Sequence, residues 1–472
     1  MIEVTPFSYI FVLYILFITI KKGINLSLVI NLFFISLVFD ITMLRGFMIR
    51  ISDKEYYYEN FFTIYAGFIN LLYILKNKVD LKTIRIFFIF LLCFTLSIIY
   101  EYYSPLSVDI LTPSTQGGWD SYVAGDVHKQ QAQVNFLRAF LIFCQAFYFF
   151  TSCLIVKNNY RFFTIESIFK KTTFCCKLIV FSVFIEIISK FVFKSSCFND
   201  LLGYFFGDGF NTYSFDDMRD NKYILQGLTR EPSHLAFSLF LCQVYLWIDF
   251  TKTRKNITFL FIISSVLLSY FSGAFSFILY FVCFLFFILI FKLLYKKNIL
   301  FKGFFVLLLF STTVFFIYIL IYPLLSSSIV DRLTNIENSF FYILQDDWKG
   351  RLELKSEYAR LISIVDNFYD FLHRPILGLG AGVELSHSGI VTFLSNVGLL
   401  CFILWIYVLS HISNNFKISC TLLFTLVVLP NLIIGFYSTL LSVNTIFLVS
   451  VQFLHSEYLK KLSIAKTSDS IR

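Results

Sequence analysis

One stretch of this sequence combines closely spaced glycines with a histidine. It runs from Arg374 to Leu400, reads RPILGLGAGVELSHSGIVTFLSNVGLL, and leads from a polar segment into an apolar one. Glycine lets a backbone approach a ligand closely or adopt a positive φ, and histidine exchanges protons near neutral pH. His387 is therefore a candidate proton acceptor. The alternative is a histidine at a helix entry that hydrogen-bonds a backbone carbonyl.

A second polar segment opens another apolar stretch. It reads QGLTREPSHLAFSL and carries Arg230, Glu231 and His234 within five residues. An arginine, a carboxylate and a histidine together can bind an anion and move a proton. The alternatives are a solvated charge for Arg230 and a helix-terminal role for Glu231, because carboxylates are favoured at helix N-termini.

Further arginines lie in the long polar stretch over residues 323–388. Arg332, Arg351 and Arg360 precede the glycine-rich segment. Each guanidinium stays protonated and presents a fork of donors that matches phosphate oxygens. These arginines are candidate anion-binding residues, and the alternative is a solvated charge or a contact with lipid headgroups.

The composition determines which kind of scaffold must position these residues. Of the 472 residues 58% are hydrophobic and 15% charged, whereas soluble domains average about 25% charged. Apolar runs near the ~20 residues that cross a bilayer recur along the whole chain. We expect one all-α, polytopic integral membrane domain over residues 1–472, with about twelve to thirteen transmembrane helices. The candidate spans are 6–20, 24–44, 61–75, 86–100, 134–156, 174–193, 228–250, 257–271, 273–291, 304–322, 389–410, 418–434 and 438–456.

Basic residues predict the orientation. Lysine and arginine cluster on alternate connectors, which the positive-inside rule assigns to the cytoplasm. Three longer polar segments then lie outside, at residues 101–133, 194–227 and 323–388. The net charge of +9 follows from this topology, so no nucleic-acid partner is expected.

The third outer segment contains a helical pattern. Its apolar residues recur at alternating spacings of four and three, which is typical of an amphipathic helix. Pro375 is expected to end this helix, which should lie on the membrane surface or cap the bundle. The apolar positions are Leu354, Tyr358, Leu361, Val365, Phe368 and Leu372.

Three charged residues fall inside apolar segments, where a charge is costly and marks a buried pair or a transport path. They are Asp40, Arg138 and Glu186. Glu186 and Lys190 are four residues apart, so we expect them to pair on one helix face in a structural role.

These motifs resemble a known family. HRPILGLGAG followed by ELSHSGIVTFLSNVGLLCFIL is similar to the pattern of O-antigen polymerases and ligases, and TREPSH resembles the EPS-containing motif of Wzy-type polymerases. YFSGAF resembles an outward-facing break that often reads Ser-Arg-Gly in the family, although here Ser272 and Gly273 lack the arginine. The resemblance covers about residues 174–455. The N-terminal third shows only a similar hydropathy pattern.

The resemblance implies a glycosyltransferase in the bacterial inner membrane whose active site faces the periplasm. Such an enzyme polymerises repeat units of a surface polysaccharide by transferring the glycan from undecaprenyl diphosphate to the nonreducing end of another lipid-linked repeat. The reaction requires cations that hold the diphosphate and a base that deprotonates the acceptor hydroxyl. We expect Arg230, Arg332 and Arg351 in the first role, His387 and Glu231 in the second, and His234 and Arg360 as additional candidates.

The resemblance also implies the partners. We expect a lipid-linked oligosaccharide, membrane lipid, a Wzz-type chain-length regulator and a flippase, with no metal and no other cofactor. Three other functions remain open, and one of them, a purely structural partner of a glycan machine, leaves the clustered arginines and histidines unexplained. An O-antigen ligase, which transfers glycan to lipid A core, uses nearly the same outer-loop residues. An oligosaccharide-lipid flippase fits less well, because its charges should lie inside the bundle.

Overall fold

The computed structural model is mostly helical. Among its described residues, three helices are long and apolar enough to cross a membrane, namely Phe136–Asn158, Pro232–Thr253 and Gly389–Leu409, and four shorter helices are also apolar. The described residues are 2–42, 47–51, 54–77, 81–104, 109–112, 128–131, 136–159, 165–207, 218–219, 222–229, 231–272, 276–294, 334–335, 338, 355–380, 388–412, 424–428, 430–431 and 440–450.

The helices follow the apolar runs of the sequence. In chain order they are α1 (Pro6–Lys22), α2 (Leu26–Thr42), α3 (Tyr58–Asn77), α4 (Leu81–Tyr103), α5 (Phe136–Asn158), α6 (Ile165–Ile187), α7 (Cys197–Phe206), α8 (Pro232–Thr253), α9 (Asn256–Phe271), α10 (Ser276–Leu294), α11 (Lys355–His373), α12 (Gly389–Ile412) and α13 (Val443–Ser450). Two π-helical turns lie at Ile188–Val192 and Phe424–Val428.

Short strands occur between the helices. Strands β1 (Ile2–Val4), β2 (Phe47–Ile51) and β3 (Lys54–Tyr57) form an antiparallel sheet in the order β1-β2-β3. Two hairpins follow, β4 (Asp109–Thr112) with β5 (His128–Gln131), and β6 (Met218–Arg219) with β7 (Lys222–Tyr223). The sequence predicted an all-α protein, and the predominantly helical fold confirms this. The prediction missed these strands, which are two to five residues long. They are too short to give a periodicity signal.

Helix α8 is at the centre of the core. It packs against α2, α6, α9 and α10, and every side chain from His234 to Leu246 is buried. A helix that is buried on every side must be apolar on every side, which the run from Leu235 to Leu246 largely satisfies. Pro232 occupies its first turn, where the missing backbone N–H removes no helical hydrogen bond.

Polar contacts identify the two ends of the bundle. Lys76, at the end of α3, reaches the carbonyl of Ile24, and Tyr73 contacts Asn159 after α5. The connectors that carry Lys21, Lys76 and Lys157 therefore lie together at what we call the basic end. Helices α4 and α6 start at basic connectors, so their C-termini lie at the opposite end.

The opposite end contains the sheet and the short helix α7. Thr5 and Ser8 at the start of α1 hydrogen-bond the hydroxyl of Tyr58 at the start of α3. Phe7 packs on Phe206, the last residue of α7, with ring centroids 4.7 Å apart. Residues 197–206, predicted as part of an outer loop, thus form a helix at the end away from the lysine clusters.

Candidate functional site

A buried ion pair lies directly behind the TREPSH segment. Glu186 lies one residue before the end of α6, and Lys190 follows in the π-helical turn. Their side chains are 0% and 1% exposed, and Lys190 Nζ lies 3.0 Å from Glu186 Oε1. The pairing predicted from their spacing is confirmed. Turns of π-helix are rare in proteins as a whole, but those that occur often lie at functional sites.

This ion pair holds the loop that enters α8. The Glu186 carboxylate accepts the backbone N–H of Gln226 at 3.1 Å and that of Gly227 at 2.6 Å. Lys190 donates to the carbonyl of Ile224 at 2.7 Å. Both charges therefore have opposite charge and hydrogen-bond partners, as buried charges require. The loop they fix ends one residue before Arg230.

The loop contains further internal contacts. Asn199 in α7 donates to the Gln226 side chain at 2.9 Å. The Thr229 hydroxyl lies 2.7 Å from the carbonyl oxygen of Gln226 and 2.9 Å from that of Glu231. Because side chains from α6 and α7 both hold it, the segment ahead of α8 has a defined path.

Glu231 and His234 meet at the start of α8. Glu231 is the N-cap residue, yet its carboxylate makes no capping hydrogen bond. The side chain is 56% exposed, with Ser233 Oγ 3.3 Å and His234 Nε2 3.9 Å from Oε2. His234 is 5% exposed. Glu231 thus occupies the helix N-terminus, where a carboxylate is favoured, without a capping hydrogen bond, and its carboxylate is exposed.

The glycine-rich segment is anchored at its first residue. Arg374 Nη1 donates to the carboxylate of Glu101, near the C-terminus of α4, and Nη2 donates to the carbonyl of Ser104. The guanidinium also lies 4.6 Å from the centre of the Tyr100 ring. Glu101 is 0% exposed and Arg374 is 11% exposed, so this pair is largely desolvated. Arg374 thereby has a structural role.

Beyond Arg374 the backbone fills a break in α12. The helix is interrupted at Gly398, where φ is 76° and ψ is 174°. Backbone N–H and carbonyl groups must be paired away from water, and here the loop after Arg374 pairs with those of the broken helix. The bonds run from Leu379 to Ser395 (2.7 Å), Gly380 to Asn396 (2.9 Å), Leu399 to Pro375 (2.8 Å) and Leu400 to Ile376 (3.3 Å).

The structure places only some of the predicted site residues, and their predicted roles stay predictions. It brings Glu231 and His234 together, and it places their segment and Arg374 at the end opposite the lysine clusters. Arg360 belongs to α11, and its side chain lies outside the description. Arg230, Arg332, Arg351 and His387 also lie outside the described residues.

Sequence reasoning missed two components of this region. Glu101, the partner of Arg374, is a lone carboxylate at the end of an apolar run, and nothing in its spacing links it to a residue 273 positions later. Gly398 stands in an apolar stretch, two residues after Asn396. A glycine at that place was the one available sign of a break, because glycine weakens a helix interior.

No protein-family model, curated protein or solved structure matches this chain. Its likeness to O-antigen polymerases is therefore a likeness of motif residues.

Proposed function

We propose that this protein polymerises lipid-linked repeat units of a surface polysaccharide. It would transfer the undecaprenyl-diphosphate-linked glycan to the nonreducing end of a new lipid-linked repeat. In this proposal the chain is a multi-pass protein of the bacterial inner membrane with twelve to thirteen spans. The active site faces the periplasm, and a large periplasmic loop covers residues 323–388.

The observation that carries the proposal is that a buried ion pair anchors each of the two motif segments. Ionisable residues inside a membrane domain are costly, and both pairs here serve to hold the motif segments in place. Here Glu186 and Lys190 fix the loop before TREPSH, and the pair of Glu101 and Arg374 anchors the start of the second motif. Both anchors lie at the end opposite the basic connectors, which is the end where a periplasmic lipid-linked substrate would arrive.

The proposed roles follow from the chemistry of each side chain. Arg230, Arg332 and Arg351 would bind the diphosphate, because a guanidinium forms paired hydrogen bonds with phosphate oxygens. His387 or Glu231 would accept the proton of the acceptor hydroxyl. Glu231 suits this role because its carboxylate is exposed and close to His234, which would orient it. Arg360 is an additional candidate for the diphosphate.

The test is the surface polysaccharide of a strain that lacks this gene. Glycan carrying one repeat unit on its acceptor supports polymerase activity, and complementation should restore the ladder. Accumulation of long lipid-linked chains with none on the acceptor would indicate the ligase alternative. An absence of any repeat at the outer face would indicate a flippase. Either of the last two results would overturn the proposal.

A further inference from the structure

Helix α11 has its polar side turned inward and its apolar side turned outward. Ser363, Asn367 and Asp370 are at most 4% exposed. The opposite side consists of apolar side chains that are between 38% and 57% exposed, namely Val365, Phe368, Tyr369 and Leu372. An amphipathic helix on a soluble protein has the reverse orientation, because water favours the polar face.

The inward face meets polar groups of the bundle. Ser395 of α12 donates its hydroxyl to Asn367 Oδ1 at 3.4 Å. Arg374, four residues after Asp370 on the same side, pairs with Glu101 of α4. The buried face of α11 therefore contacts α12 through Asn367, and Arg374 ties the end of the helix to α4.

The outward face continues the surface of a membrane-crossing helix. Ile376, which is 65% exposed, accepts the N–H of Leu400 through its carbonyl. Leu399, Leu400 and Ile403 form an exposed apolar stripe on α12, one of the three helices long and apolar enough to cross a bilayer. Exposed apolar side chains thus extend from α12 through Ile376 to Leu372, with the exposed His373 beside Leu372 in the chain.

A contact with α4 shows how far the loop after α11 lies from the end of the bundle. Ser97 donates its hydroxyl to the carbonyl of Asn396 at 3.0 Å. Ser97 lies six residues before Tyr103, the last residue of α4, which corresponds to ~9 Å along a helix. The loop after α11 reaches this level with its backbone hydrogen-bonded to α12, as irregular backbone in hydrocarbon must be.

We propose that α11 and the loop to Gly380 form a re-entrant segment of the membrane domain. The segment lies in the half of the bilayer opposite the basic connectors. Its apolar face, formed by Val365, Phe368, Tyr369, Leu372 and Ile376, contacts the hydrocarbon chains of the bilayer lipids. An apolar patch with buried polar groups behind it is stable against hydrocarbon and unfavourable against water. This assignment is independent of the reaction proposed above.

Spin labels on the apolar face test the proposal. Phe368→Cys, Leu372→Cys and Ile376→Cys are made in a Cys197→Ser background, because Cys197 is the exposed cysteine of the described residues. The parent without a new cysteine gives the background. The labelled protein is reconstituted into nanodiscs of phosphatidylcholine and phosphatidylglycerol. Collision rates are then measured with oxygen, which concentrates in hydrocarbon, and with a nickel chelate, which stays in water.

Two further sites calibrate the measurement. Ile403→Cys on α12 is the hydrocarbon standard, and Lys255→Cys in the exposed connector after α8 is the aqueous standard. We expect the oxygen-to-nickel ratio at all three test sites to match that of Ile403→Cys. A ratio equal to that of Lys255→Cys would place α11 in water and overturn the proposal. Low accessibility to both reagents would also overturn it, because it would show that protein covers the face.

Discussion

Gly378 and Gly398 lie backbone against backbone. A Cβ atom added to either glycine would stand 2.7 Å from the backbone nitrogen of the other. Both residues have positive φ, 71° and 76°. This mutual approach lets the loop after Arg374 enter the break in α12 and supply the hydrogen bonds that the interrupted helix lacks. The segment that leads toward His387 is thereby fixed to a helix able to span the membrane.

We expect Gly398→Ala to destabilise the protein severely. The new methyl group would meet the carbonyl of Ile376, and overpacking of this kind costs about 1–3 kcal/mol beyond the strain of the positive φ. Gly378→Ala should behave similarly, because its Cβ would lie 2.6 Å from the Asn396 carbonyl oxygen. The measurement is the midpoint of thermal unfolding of the detergent-solubilised protein. Size-exclusion chromatography after heating measures how much folded protein remains at each temperature.

Gly23→Ala is the matched control. Gly23 also has a positive φ, 63°, but no atom lies within 4 Å of its Cβ position. This variant should show only the backbone strain, about 1–3 kcal/mol. If the three alanine variants melted at the same temperature, close approach of the two backbones would not be important for stability.

A second prediction concerns the buried pair behind the TREPSH segment. Glu186→Gln leaves the ammonium of Lys190 buried without its counter-charge, which typically costs about 3–5 kcal/mol. Lys190→Met should cost a similar amount by stranding the Glu186 carboxylate. The double variant should recover part of the loss, because no unpaired charge remains. Thermal unfolding of the four proteins gives the coupling energy of the pair.

The surface pair Arg50 and Glu3 provides the comparison. It has the same 3.0 Å separation, but its side chains are 24% and 47% exposed. Removing a charge from an exposed pair costs about 0–1 kcal/mol, so Glu3→Gln should be nearly neutral. Equal losses in Glu3→Gln and Glu186→Gln would show that burial of the Glu186 pair contributes nothing.

Local spacing predicted the parts of this structure that depend on neighbours in sequence. The pair of Glu186 and Lys190 follows from an interval of four residues, and the end of α11 follows from Pro375. The contact between Arg374 and Glu101 joins residues far apart in the chain, so no local pattern could indicate it. The inverted faces of α11 were also beyond the sequence. Periodicity shows that a helix has two faces, and the packing partners decide which of them turns inward.

The third prediction concerns His387 as a proton acceptor. His387→Ala should remain in the membrane at wild-type level yet reduce long glycan chains to single units, because the acceptor hydroxyl would keep its proton. The measurement is the length distribution of surface glycan, with protein level determined in the same cells. A normal ladder at normal protein level would remove His387 from the proposed site.

The fourth prediction separates binding geometry from charge at the arginines. Lysine keeps the charge but lacks the planar fork of donors. Arg230→Lys, Arg332→Lys and Arg351→Lys should each shorten the glycan. Arg254→Lys, at the exposed end of α8 among the basic connectors, should leave the ladder unchanged. Equal tolerance at all four positions would identify the first three as ordinary surface charges.

The fifth prediction is the topology on which every proposed role depends. The lipid-linked repeat is presented at the outer leaflet, so the proposed site must face the periplasm. The basic connectors predict that residues 101–133, 194–227 and 323–388 lie outside and that the C-terminus lies inside. Cysteines introduced at Asp217 and Asp347 should therefore react with a membrane-impermeant maleimide in intact spheroplasts. Cysteines at Lys255, Lys297 and Lys466 should react only after the membrane is opened. Labelling of Asp347→Cys from the cytoplasm alone would place the arginine-rich segment on the wrong side and exclude the proposed polymerisation.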